Sequence, residues 1–412
     1  MSVPEPGSAP LDRLLLAARQ WEADGQQDDP SSGLYPTLLG IFGKDPTPEP
    51  DFDLDGWRFD EDGRYVVTGA WIPGDARPPE LVELPDASPL LALGAEEPAA
   101  GVGPVVGILD TRICPHPALA GSYAAPGAVY RDIGQLDEVE PPGLDPFAPH
   151  ATFLAGIIAQ QAPAARILVR PVIQQGRATL ADVLRGLVEL REAGAQIINL
   201  SLGTYTDEDR EPALLDAIVR LLGPDVIVVA AAGNRPTGCR PRADDPRAEQ
   251  DAHAEERAGR PEADPGRPGR PWWPAALEGV VAVGSATDDG AGGWVPSEFS
   301  NLGPWVNVWA PGDGVVSTFV DFPDDGREVS EKDPRSWTWA TWSGTSFAAA
   351  VVSGRIAERM SAARAAGNPM SSWQAFSSLV RDASADVRLD GQEAGGTRLI
   401  EARGPGARLG TG

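Results

Sequence analysis

The chain changes character at the stretch VVGILDT, residues 105–111, where a nearly continuous apolar run ends in a carboxylate. Similar apolar runs follow, and segments with helical periodicity separate them. Buried strands that alternate with helices are typical of a parallel sheet covered on both faces. We therefore predict a three-layer α/β fold with a mostly parallel central sheet and helices on both sides. The later predicted strands are Arg166–Val169, Gln196–Leu200, Val226–Ala230 and Val280–Val283, and the predicted helices include Leu180–Ala193, Pro212–Leu222 and Ser371–Arg381.

The length of 412 residues predicts one large domain with additional regions. Residues 1–100 are predicted to form an N-terminal accessory region or prosegment, with a short helix near Leu11–Trp21 and a strand at Arg64–Val67. The main domain is predicted over residues 101–395 and a C-terminal tail over 396–412. Residues 235–271 are rich in proline and contain no Val, Ile, Leu or aromatic residue, which predicts a flexible surface insertion.

The composition argues against several classes of function. The net charge of −26 disfavours binding to nucleic acid or to anionic membrane surfaces. Cys114 and Cys239 are too few for a disulfide framework and lack metal-ligand spacing, although one bond between them stays open. We predict no metal and no cofactor. Because no secretory signal pattern and no membrane-length apolar segment is visible, we expect a cytoplasmic location; the sequence leaves the oligomeric state undetermined.

Two side chains with chemical potential lie at the ends of predicted elements. Asp110 ends its strand at the carboxyl edge, where open α/β sheets collect their active sites, although an aspartate there is more often a turn or cap residue. His150 opens a helix of small and apolar residues. Of the other two histidines, His116 lies between prolines in a turn and His253 lies in the charged insertion. His150 is therefore the best-placed general base, although a lone histidine is more often structural.

Ser346 follows Gly344 and Thr345, which are suited to a tight turn and a helix cap, and precedes a run of small residues. This position predicts a serine in the first turn of a helix, where unpaired N–H groups favour negative charge. Such a serine could attack a carbonyl, or it could serve simply as a second capping residue.

Asn234 comes directly after a predicted strand that runs through Ala231, Ala232 and Gly233. An amide at a strand end can donate a hydrogen bond to an oxyanion. Acyl transfer by serine requires a nucleophile, a base, a carboxylate that orients the base, and oxyanion donors. Candidates for all four parts are present in this chain.

The order Asp110, His150, Ser346, with these flanking residues, resembles the subtilisin-like serine peptidases of the subtilase family. Further segments extend the resemblance over roughly residues 105–364. They are the stretch Ile197–Gly203, Pro274–Ala276, Val280–Ser285, Phe299–Gly303 and Ala310–Gly312.

The resemblance implies a serine endopeptidase that acts on peptides or proteins through an acyl-enzyme intermediate. Asp110 would orient His150, His150 would take the proton of Ser346, and Asn234 with the Ser346 N–H would form the oxyanion hole. The segment Ser201, Leu202 and Gly203 would pair with an extended substrate, with Ala231, Ala232 and Gly233 on the other side of the pocket. Calcium is common in the family, but no ligand loop is recognisable.

The chain departs from the family pattern at two positions, where Ala151 and Arg112 stand in place of glycines. Arg112 could compete for the oxygens of Asp110. The alternative function is therefore an inactive subtilase-like module that binds peptides or partners through the same cleft.

Two structural questions stay open at this point. The insertion could hang over the cleft or form a solvated loop. The cluster of Trp337, Trp339 and Trp342 could line the cleft or pack the sheet.

Overall fold

A computed structural model describes most of the region from residue 103 onwards and several short segments before it. The described residues are 52–53, 57–59, 65–67, 79–85, 88–93, 103–114, 116–119, 149–173, 177–178, 180–205, 209, 211–234, 269–320, 337–389 and 395–403. The predicted helix at 11–21 and nearly all of the predicted insertion at 235–271 lie outside these residues.

Sixteen strands and five α-helices are present in the described residues. The strands are β1 Phe52–Asp53, β2 Trp57–Phe59, β3 Tyr65–Val67, β4 Glu80–Leu81, β5 Val105–Asp110, β6 Arg166–Pro171, β7 Arg177–Ala178, β8 Ile197–Leu200, β9 Ile227–Ala231, β10 Val280–Asp288, β11 Trp294–Pro296, β12 Val308–Pro311, β13 Val315–Val320, β14 Trp337–Trp342, β15 Ala385–Asp386 and β16 Arg398–Leu399. The α-helices are α1 Pro149–Gln161, α2 Leu180–Glu192, α3 Ala213–Leu222, α4 Thr345–Ala365 and α5 Ser372–Asp382.

The central sheet has nine strands, in the order β15-β16-β12-β10-β9-β8-β5-β6, with β11 paired to β10. Six of its pairings are parallel, and only β11 and β15 pair antiparallel with their neighbours. The predicted strands and helices of this region are confirmed, with boundaries that differ by a few residues. The α/β fold class is confirmed as well.

Successive residues of each strand face opposite layers. Ile108 contributes to a core shared with α1 and α4, whereas Leu109 contributes to a core shared with α2 and α3. Because both faces of the sheet are covered, the inner strands are apolar throughout rather than alternating. The first turns of α4, residues 345–357, are buried on every side, since their small side chains let the helix pack directly beneath the sheet.

The carboxyl ends of β5, β8 and β9 lie side by side. Leu109 is in register with Leu200, and Leu200 is in register with Ala230. Residues that follow these three strands are therefore brought to one edge of the sheet. This arrangement brings together Asp110, Ser201 and Asn234, although they lie far apart in the sequence.

Part of the predicted accessory region belongs to the main body of the protein. Strand β4 pairs antiparallel with β14, which also pairs with β13. Leu90 is 1% exposed and packs with Ala118, Val316 and Trp339. The predicted strand at 64–67 is present as β3, which pairs with β2. Whether residues 1–100 act as a prosegment or as a permanent region stays an open prediction.

The sheet extends beyond the boundary predicted at residue 395. Strand β16 pairs with β12 and β15, and the N–H of Ile400 donates to the carbonyl of Trp309. Residues 396–400 are thus part of the domain and not of a tail. Within the described segments, no helix has both the length and the apolar character that crossing a bilayer requires.

Candidate active site

Asp110 and His150 are joined by a short hydrogen bond. The Nδ1 atom of His150 lies 2.7 Å from Oδ1 of Asp110, and both side chains are buried. Asp110 ends β5 and His150 lies in the first turn of α1, so the contact joins the sheet edge to the helix that covers it. A carboxylate at Nδ1 holds the imidazole with its Nε2 atom available as a base.

Thr111 connects these two elements through its backbone and its side chain. Its N–H donates to Oδ1 of Asp110 at 2.7 Å, and its Oγ1 accepts the N–H of Ala151 at 3.0 Å. The hydroxyl thereby satisfies one of the unpaired N–H groups at the start of α1. The sequence did not indicate this role, because Thr111 lies about forty positions away from the helix that it caps.

The other carboxylate oxygen of Asp110, Oδ2, is buried and has no hydrogen-bond partner among the described residues. Among the described residues, the hydrogen bonds to Oδ1 of Asp110 come from His150 and Thr111, and the effect of Arg112 on activity stays an open question. The second departure, Ala151, is fully buried within α1, where its methyl group is accommodated by the helix.

Aromatic side chains surround the imidazole. The ring of Trp342 meets that of His150 edge to face, with centroids 5.7 Å apart, and the ring of Phe347 lies 5.8 Å away. Trp339 instead packs against His116, at 5.6 Å. Trp342 therefore contacts the candidate base. Trp339, by contrast, lies in the smaller β13-β14-β4 sheet and packs against His116.

Ser346 is located in the first turn of α4, as predicted, and is 8% exposed. The helix is entered through Gly344, whose N–H donates to the carbonyl of Gly312 at 2.8 Å. A capping role for Thr345 is not observed: Gly344 occupies the N-cap position, and no side chain of the helix itself supplies a cap bond.

Asn234 caps the start of α4 in place of a residue next to the helix. Its Oδ1 accepts both the N–H and the Oγ1 hydroxyl of Thr345, each at 2.9 Å. Thr345 Oγ1 in turn accepts the N–H of Gly233 at 3.0 Å. Because these donors fix the amide oxygen of Asn234, its NH₂ group points away from Thr345 N–H and Oγ1. Asn234 is thereby oriented as a hydrogen-bond donor beside Ser346.

A chain of hydrogen bonds runs beneath Ser346 from α4 to β8. Ser353 donates to Oδ1 of Asn199, Asn199 Nδ2 donates to the hydroxyl of Ser201, and Ser201 donates to the carbonyl of Ser346. Asn199 and Ser353 are fully buried. Each donor in the series has a defined acceptor, so the strand and the helix are held in one relative position.

The two predicted substrate segments lie at the same edge of the sheet. Ser201, Leu202 and Gly203 continue from β8. Ala231 ends β9, and Ala232 and Gly233 lead from it to Asn234. Gly233 has φ +93°, a conformation that glycine adopts without strain.

No group of three or more His, Cys, Asp or Glu side chains that could hold a metal ion occurs in the described part of the chain. The expectation of no metal, with calcium as the possibility that the family resemblance raises, stays a prediction. Cys114 is buried, whereas Cys239 lies outside the described residues, so their pairing stays open.

Comparison with known proteins agrees with this architecture. The chain is 30% identical over 295 residues to mycosin-3 of Mycobacterium tuberculosis, an alignment that covers 62% of this chain and 58% of mycosin-3. It is 29% identical over 282 residues to thermitase of Thermoactinomyces vulgaris, covering 66% of this chain and 79% of thermitase. It thus spans less than two thirds of mycosin-3.

Among solved structures, the fold matches a lanthipeptide protease with a TM-score of 0.50 at 22% identity, over 73% of this chain and 85% of that chain. The model of the subtilase family, Peptidase_S8, matches residues 101–399. The chain therefore belongs to the subtilase family of subtilisin-like serine peptidases.

Proposed function

We propose that the protein is a serine endopeptidase that hydrolyses peptide bonds of peptide or protein substrates. The observation that carries this proposal is the 2.7 Å bond between His150 Nδ1 and Asp110 Oδ1. Family membership supports the same activity. The expected cytoplasmic location stays a prediction.

In the proposed reaction, Ser346 Oγ attacks the substrate carbonyl while His150 Nε2 takes the hydroxyl proton. Asp110 keeps Nδ1 protonated and stabilises the imidazolium that forms. The negative charge that develops on the carbonyl oxygen is stabilised by the Asn234 NH₂ group and the Ser346 N–H. His150 then gives the proton to the leaving amine, which leaves an acyl group on Ser346.

Hydrolysis of the acyl group completes the cycle. Water takes the place of the amine and attacks the acyl carbonyl carbon while His150 accepts its proton. The second tetrahedral intermediate then collapses, the bond to Ser346 Oγ breaks, His150 returns the proton to that oxygen, and the carboxylic acid is released. Every proton in the two half-reactions passes through one imidazole. The helix α1, which carries His150, must therefore keep a fixed position relative to the helix α4, which carries Ser346.

The alternative, an inactive peptide-binding module, depended on interference by Arg112. In the described part of the chain, Oδ1 of Asp110 is bonded to His150 and Thr111, which supports the catalytic proposal over this alternative. It also predicts a different outcome in the experiment below.

A fluorophosphonate probe tests the proposal, because it reacts with an activated serine and not with ordinary hydroxyl groups. The purified protein is expected to be labelled, and Ser346→Ala is expected to abolish labelling. Ser361→Ala is the matched control, since it removes a hydroxyl from the same helix that, within the described residues, bonds only to the carbonyl of Ala357, and it is expected to retain the label. Labelling of Ser346→Ala, or no labelling of the unmodified protein, would contradict the proposal.

A further inference from the structure

The indole ring of Trp272 lies between the two substrate segments. Its side chain is buried, at 4% exposure. A methyl group added at Gly203 would approach the indole Nε1 closely and would lie 2.6 Å from Cε2. A methyl group added at Gly233 would lie 3.1 Å and 3.2 Å from Cδ2 and Cε2 of the same ring. Both glycines therefore face one indole, which occupies space between the segments.

The backbone around Trp272 is attached to the first of these segments. The N–H of Thr204 donates to the carbonyl of Trp273 at 2.9 Å, and the N–H of Trp273 donates back to the carbonyl of Thr204 at 3.0 Å. This antiparallel bridge continues the segment that starts at Ser201. Two hydrogen bonds of Trp273, the next residue in the chain, thus hold the backbone beside Trp272 next to the proposed substrate strand.

The indole is also supported from the side by Tyr205. The two rings meet edge to face with centroids 4.8 Å apart. The Tyr205 hydroxyl accepts a hydrogen bond from Asn301 Nδ2 at 3.0 Å, and the guanidinium of Arg270 lies 4.8 Å from the tyrosine ring centre. Because Tyr205 is held on two sides, it prevents the indole from swinging out of the space between Gly203 and Gly233.

The position of Asn234 shows which substrate residue meets this ring. In the proposed reaction, Asn234 binds the oxygen of the carbonyl that Ser346 attacks. We call the substrate residue that supplies this carbonyl the acyl residue. The resemblance to the subtilases places the pocket for this residue between residues 201–203 and residues 231–233, which is where the indole of Trp272 lies against Gly203 and Gly233.

We propose that Trp272 closes the pocket for the acyl residue and makes the enzyme selective for substrates with glycine, alanine or serine at that position. This inference rests on the proposed function, because it assumes that Ser346 attacks the carbonyl held by Asn234. A large side chain would have to displace a packed indole, and packed interiors resist overfilling. A small side chain requires no such displacement.

Peptide p-nitroanilides that are identical except for an alanine or phenylalanine acyl residue test the proposal. The unmodified enzyme is expected to hydrolyse the alanine substrate with a kcat/KM at least about 100-fold higher, since even one methylene changes discrimination by about 10- to 200-fold. Trp272→Gly is expected to raise the phenylalanine-to-alanine ratio of kcat/KM by about 100-fold. Trp272→Phe is expected to give a smaller rise.

Trp373→Ala is the matched control. Its indole N–H donates to the carbonyl of Val226, which precedes β9 at the end of the strand opposite to Asn234, so the selectivity is expected to stay unchanged. The profile of the unmodified enzyme decides the proposal even where Trp272→Gly does not fold. Equal or better hydrolysis of the phenylalanine substrate by the unmodified enzyme would overturn the proposal. Failure of the proposed function would differ, since neither substrate would be cleaved and the fluorophosphonate would not react.

Discussion

The helices α1 and α4, which carry the candidate base and nucleophile, are capped in the same way, but the two capping residues differ in what else they do. At α1, Oγ1 of Thr111 accepts the N–H of Ala151. At α4, Oδ1 of Asn234 accepts the N–H of Thr345. In both cases the capping atom comes from a residue at the end of a strand, and not from the helix itself.

The difference lies in the second role of each capping residue. Thr111 caps α1 through its side chain, while the neighbouring Asp110 carries the charge that His150 needs. Asn234 caps α4 with its oxygen, and in the proposed reaction its NH₂ group donates to the oxyanion. A substitution at Thr111 should therefore disturb position alone, whereas a substitution at Asn234 should remove position and charge stabilisation together.

The largest effect is expected for Asn234→Ala. We expect kcat to fall by about 10²- to 10³-fold, which is the loss known for removal of the corresponding donor in subtilisin, a member of this family. Initial rates on the alanine p-nitroanilide measure the loss. Asn234→Asp separates the two roles, because it keeps an oxygen for Thr345 but removes the NH₂ donor. Full recovery of kcat in Asn234→Asp would show that capping alone matters.

A smaller effect is expected from acid through His116, which anchors the residues after β5. Its Nε2 donates to the carbonyl of Thr338, its Nδ1 accepts the N–H of Ala118, and burial lowers its pKa to about 4. The pKa of an unfolded histidine is about 6.5, so folding favours the neutral ring. This contribution is complete above pH 6.5 and is lost as the pH falls towards 4.

At pH 5 the loss amounts to about 2 kcal/mol of unfolding free energy relative to pH 7.5. Urea unfolding of the unmodified protein and of His116→Gln at the two pH values measures it, since the variant lacks the titrating ring. An equal decrease in both proteins would assign the acid sensitivity to other groups. We expect protonation of His116 to disturb the segment that leads to His150, because His116 lies in the chain between β5 and α1.

The smallest effect is expected for Thr111→Val, which leaves the N–H of Ala151 without its acceptor. Loss of such a cap costs about 0.5–2 kcal/mol of stability, and a slight displacement of α1 should lower kcat about 10-fold while KM changes little. Thr111→Ser keeps the hydroxyl and should restore both quantities. Thermal unfolding and steady-state kinetics on the alanine p-nitroanilide provide the comparison. A serine variant as impaired as the valine variant would argue for a role of the methyl group instead.

The sheet and its helices could be predicted from local pattern. The apolar run of β5, the helix of small residues at α4 and the helical period of α2 are properties of neighbouring residues, and the structure confirms them. The candidate site could be predicted for a related reason. Its residues Asp110, His150 and Asn234 lie where regular elements begin or end. The fold boundary at 395 was wrong because β16 is only two residues long, which is too short to produce a pattern.

The links between these elements could not be predicted from local pattern. Thr111 and Asn234 act on helices about forty and one hundred and ten positions away, and Trp272 lies almost seventy residues from Gly203. The sequence alone determined which segments are buried and which polar residues end them, because burial depends on composition over a few positions. Only the tertiary structure decided which of those ends meet, since contact between distant segments depends on strand order and helix packing.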